Sequence, residues 1–94
     1  MTDLEQLREQ IAAYDRQIME LLSNRLNCAI EVGRYKAEHG LQAHNPEVER
    51  KVISRYRTLA EELGMDPDRA EEICKIIMQE SISNEEAIIG REQK

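Results

Sequence analysis

The feature that most constrains this chain is an apolar seam that keeps one register for about thirty residues. Leu4, Leu7, Ile11, Tyr14, Ile18, Leu21, Cys28, Val32 and Tyr35 follow in alternating steps of three and four, and Arg25 takes the one place left in the series. An α-helix lays that heptad period along one face, whereas a strand scatters it over both. Thr2 with Glu5 three residues on forms a capping box that predicts the helix start. The run continues to about Glu38, and Gly40 suits the C-terminal cap. A helix of about 35 residues is about 52 Å long, while a compact chain of this size has a radius of gyration of only about 12 Å. One protomer cannot cover such a rod, so the seam predicts a homodimer.

The rest of the chain reads as two shorter helices. His39 to His44 form a loop, Asn45 is the expected N-cap of the second helix, and Pro46 suits its first position. Val48, Val52, Tyr56, Leu59 and Leu63 make its stripe, and Gly64 ends it. Asp66 and Pro67 open a third helix with the stripe Ala70, Ile73, Ile77, Ser81, Glu85 and Ile88, expected to end at Gly90. The expected fold class is all-α, three helices per protomer, in one domain over residues 1–94 with no internal repeat.

Composition narrows the function classes. Phe and Trp are absent, so the core must be built from Leu, Ile, Val, Met and Ala, which favours helix packing. Cys28 and Cys74 both fall in apolar-periodic stretches and read as small core residues in a reducing compartment. A net charge of −6 argues against a nucleic-acid surface. No apolar run approaches the ~18 residues of a bilayer span. The start, Thr2-Asp3-Leu4-Glu5, lacks the pattern of a signal peptide, so no membrane partner and a cytoplasmic location are expected. His39 and His44 have no ligand spacing around them, so no metal and no cofactor are expected.

The informative residues are polar groups in apolar registers. Arg25 interrupts the seam. A lone arginine there can snorkel its head group to water, or it can serve a pocket. Lys36 lies eleven residues on, only about 20° around the helix and about 16 Å along it, so both side chains can converge on one small anion. Arg8 lies seventeen residues before Arg25, about 100° around and about 25 Å away, and cannot share that pocket within its own chain. It is either a surface charge or a donor to a partner's site. Ser81 can satisfy itself on the backbone four residues back. Glu85 needs a partner if it is buried, or else it is wet in a fraying last turn.

Leu7-Arg8 with Ile11 and Asp15, Leu21-Leu22 before Arg25, Glu31-Val32-Gly33 before Lys36, the Asn45-Pro46 turn with Glu49, and Glu80-Ser81 together resemble the all-helical chorismate mutases. The resemblance runs from about Leu4 to Ile88. It implies an intertwined homodimer that rearranges chorismate to prephenate, on the route to Phe and Tyr, without a cofactor. It implies that Arg25 and Lys36 grip the substrate carboxylates and ether oxygen, with Arg8 reaching in from the other protomer. Glu49 would meet the ring hydroxyl with Asn45 nearby, Ser81 would help hold a carboxylate, and Glu85 would face the ether oxygen. Two positions depart from the family pattern. Val48 stands where many members carry an arginine, leaving one cation missing unless Arg50 or Arg55 substitutes. Glu85 stands where glutamine is frequent. An isochorismate pyruvate-lyase on the same scaffold and a non-catalytic helical dimerisation or effector-binding module are the competing expectations.

Overall fold

A computed structural model describes residues 3–92, which form three helices: α1 (Leu4–Glu38), α2 (Pro46–Glu62) and α3 (Pro67–Glu92). The cap of α1 is Asp3, whose extended backbone lets its carboxylate accept from the Gln6 N–H at 2.8 Å. This replaces the expected capping box; its Thr2 lies outside the described residues, while Asp3 directly precedes the first helical residue. Asn45 caps α2 as expected, its side chain accepting from the Val48 N–H at 3.3 Å, with Pro46 in the first turn.

Both α1 and α2 end by the same device. Gly40 and Gly64 adopt positive φ (66° and 72°), and the next residue donates back into the last turn, Leu41 N–H to Lys36 O at 2.8 Å and Met65 N–H to Ala60 O at 2.7 Å. Glycine takes this left-handed conformation without the strain a Cβ would add. Gly90 does not do so, and α3 continues past its expected end to Glu92. A glycine weakens a helix but ends it only where the backbone turns left-handed.

α3 packs against both α1 and α2, while those two make no close approach to each other. The result is a rod of 60 × 24 × 14 Å with a radius of gyration of 16.8 Å, well above the about 12 Å of a compact chain of this length. The buried apolar residues are small in number and mostly small in size: Ala29, Ala43, Ala60, Ala70, Cys74, Met78 and Ile88. On α3 the buried line therefore runs through Cys74 and Met78, not through Ile73, which is half exposed, or Ile77, which is only partly covered. Two neighbouring helices, and not one apolar stripe, set which side of α3 is inside. Cys74 is fully buried, and burial pushes its thiol up. Cys28 is exposed in the single chain, contrary to its reading as a core residue, because it lies on the α1 seam. Every residue from Asp3 to Leu21 is exposed, including Leu4, Leu7, Ile11, Tyr14 and Ile18 of that seam.

One close approach fixes α1 against α3. Gly33 is buried, and a Cβ built on it would lie 3.1 Å from the Glu85 Cα. That approach brings Lys36, one turn further along α1, level with Glu85.

Candidate active site

Arg25 does not snorkel to water. It is half-buried and reaches across to α3, where Nη1 donates to Ser81 Oγ at 2.6 Å. Ser81 in turn donates to Ile77 O at 3.2 Å, the expected bond to the carbonyl four residues back. The serine hydroxyl thus joins the guanidinium to the helix backbone and fixes where it points.

Lys36 and Glu85 form the second element. Lys36 Nζ donates to the Ala43 carbonyl at 2.7 Å and lies 2.7 Å from Glu85 Oε1. Their side chains are 17 % and 8 % exposed, which makes Glu85 a buried carboxylate and not a wet one in a fraying turn. The ammonium has three N–H donors, so it can bond Ala43 and still neutralise the buried Glu85 carboxylate beside it. Removing either partner of such a pair would leave a buried, uncompensated charge.

These groups open onto one cavity of about 100 Å³. Its polar lining is Arg25, Lys36, Asn45, Glu49, Ser81 and Glu85, and its apolar wall comes from Ala43, Val48, Val52, Met78 and Ile82. All three helices and the connecting loop contribute. Six of the seven site residues expected from the sequence therefore lie together. Arg8 does not line this cavity and is exposed on the N-terminal part of α1. Arg50 and Arg55 do not line it in the single chain either. The cavity is smaller than the ~300 Å³ lower bound of ordinary ligand sites. Beside it, sharing Arg25 and Ser81, lies an apolar cleft of about 450 Å³ walled by Leu22, Leu26, Ile76 and Ile77.

Three contributions could not be expected from spacing. The Ala43 carbonyl orients Lys36, and Gly33 admits Glu85. Glu49 Oε2 accepts from the Asn45 backbone N–H at 3.0 Å and meets His44 Nδ1 at 2.5 Å. A carboxylate following a loop histidine by five residues is the one trace of this in the sequence.

In one protomer two cations face two carboxylates, with a hydroxyl and an amide between them. Such a site orients an anionic ligand and presents fixed donors to one of its atoms. An all-helical protein with a polar, cation-bearing pocket between three helices is the class that fold and site define. The profile of the chorismate mutase type II family matches residues 7–86, and the chain belongs to that family. It is 36 % identical to the T-protein of Enterobacter agglomerans over 85 residues, and 35 % identical to that of Haemophilus influenzae over the same length. In both cases 90 % of this chain is covered, but it spans only 23 % and 22 % of those relatives. A chorismate mutase of Methanocaldococcus jannaschii is 28 % identical over 76 residues, covering 81 % of this chain and 77 % of that protein.

Proposed function

We propose that the chain is a chorismate mutase, an isomerase that rearranges chorismate to prephenate in aromatic amino-acid biosynthesis. The observation that carries this is the cavity in which the Arg25–Ser81 pair and the Lys36–Glu85 pair face one another. A pericyclic rearrangement requires no nucleophile and no proton relay. It requires that a flexible dianion be held in its compact reactive shape, an effect that can supply about 7–11 kcal/mol of the barrier. It also requires fixed donors at the ether oxygen, which gains negative charge as its bond breaks; one such donor is typically worth about 3–4 kcal/mol.

In this reading Arg25, braced by Ser81, holds a carboxylate, and Lys36 donates to the carboxylate and ether oxygen. Glu49 accepts from the ring hydroxyl beside Asn45. Glu85 faces the ether oxygen. The enzyme works as a homodimer, and Arg8 enters the site of the neighbouring subunit. Support for the dimer comes from the exposed apolar seam of α1.

The test is to incubate the purified protein separately with chorismate and isochorismate and identify the products. Prephenate from chorismate supports the proposal. Pyruvate from isochorismate alone would assign the lyase activity instead, and no turnover of either would leave the non-catalytic binding module.

A further inference from the structure

We infer that His44 is a positioning residue: it holds Glu49 by one carboxylate oxygen so that the other is free for the substrate's ring hydroxyl. The inference rests on the chorismate mutase reading above. Glu49 is the fourth residue of α2, and its side chain curls back over the start of that helix. Oε2 accepts from the Asn45 N–H at 3.0 Å and lies 2.5 Å from His44 Nδ1. An ionised carboxylate can only accept, so Nδ1 must carry the proton, in either the neutral tautomer or the imidazolium. Oε1 receives no protein donor among the described residues, and Glu49 lines the cavity.

Two donors on one oxygen fix the rotation of a carboxylate about its last bond; a single backbone donor does not. Among the described residues no other side chain donates to Glu49. On its outer side Glu49 faces a second cleft with His44, in which Lys75, Gln79 and Glu86 of α3 stand opposite. Lys75 is held by Glu71 at 3.0 Å, and Gln79 donates to Ser83. His44 itself is 64 % exposed and makes no other hydrogen bond among the described residues, so its bond to Glu49 is its one specific engagement.

The ring hydroxyl neither forms nor breaks a bond in the rearrangement, so losing a contact that only orients it should raise KM more than it lowers kcat. The test begins with chorismate turnover by the wild-type protein; a wild type that leaves chorismate unchanged overturns this inference together with the reading beneath it. In an active protein, His44→Ala should raise KM roughly three- to tenfold with kcat within about twofold. His44→Asn, whose amide N–H stands where Nδ1 stood, should restore most of the affinity and also guards against a folding defect in the alanine variant. With a chorismate analogue lacking the ring hydroxyl, His44→Ala and wild type should have the same KM. An unchanged KM for His44→Ala, or a defect that persists with the deoxy analogue, overturns the assignment while leaving the mutase reading intact.

Discussion

Gly33→Ala sets two calculable effects against each other. In the middle of a helix, alanine is favoured over glycine by about 1 kcal/mol, and a solvent-exposed glycine here would simply gain that. Gly33 is buried, however, and its new Cβ would stand 3.1 Å from Glu85 Cα, 3.2 Å from Glu85 Cγ and 3.3 Å from Ile88 Cδ1. The tip of Ile88 can rotate away, but the Glu85 Cα belongs to the backbone of α3 and can move only if the helices separate by a few tenths of an ångström. Overpacking of this kind typically costs about 1–3 kcal/mol. The balance is a destabilisation of about 0–2 kcal/mol per chain, which at its upper end lowers the melting temperature by about 8–16 °C for a domain of this size. The same movement carries Glu85 away from Lys36, so kcat should fall by an order of magnitude or more. Thermal unfolding by circular dichroism at fixed protein concentration and chorismate turnover measure the two effects. A variant that melts higher by the helix-propensity gain and keeps its kcat would refute the close-approach argument.

In the proposed homodimer folding and association are one event, so the melting midpoint should rise with protein concentration; a folded monomer persisting at nanomolar concentration would contradict this. Arg8→Ala and Arg25→Ala should each lose most turnover with helicity intact, and mixing the two should restore part of it, since one site of the mixed dimer holds both arginines. Demonstrated subunit exchange without recovery would place both in one chain's site. Lys75 and, after it, Arg57 hold the Glu71 carboxyl below its ordinary value. The stability this confers is present above the carboxylate range and lost as pH falls through the lowered value. Glu71→Gln should therefore melt slightly lower than wild type near pH 7, the gap closing as pH falls through the lowered value; a gap that is unchanged at low pH would assign it to packing.

How much was legible in the sequence follows from what each feature requires. The seam of α1 needs only spacing, and its thirty residues read correctly; so did the Asn45-Pro46 start and the Gly40 and Gly64 ends. Thr2 and Asp3 are both capping residues, and the choice between them depends on where the first turn begins. Gly90 is a glycine without the left-handed backbone, which spacing does not reveal. The inward line of α3 moved from Ile73 to Cys74 because two helices pack on it. Arg25 and Ser81 are 56 residues apart, yet both were visible as polar breaks in apolar stripes. The Ala43 carbonyl and the His44–Glu49 contact leave no such break, since they arise from the path of a loop.

The unbroken course of α1 also bears on how this chain can change length. Arg25 and Lys36 sit on one rigid helix (Leu4–Glu38) and face one cavity. One residue inserted between them would swing Lys36 through about 100° and carry it about 1.5 Å further along, off Glu85 altogether. Even a whole heptad, which nearly restores the angle, displaces it by about 10 Å. In the loop over residues 39–45, Gly40 and Leu41 cap α1 and Ala43, His44 and Asn45 supply contacts to the site, so the weakest constraint lies between Leu41 and Ala43. Insertions and deletions tolerated by this protein should therefore fall just after Leu41 or beyond Ile88, while the stretch from Arg25 to Lys36 behaves as a ruler that admits substitutions but no change in count.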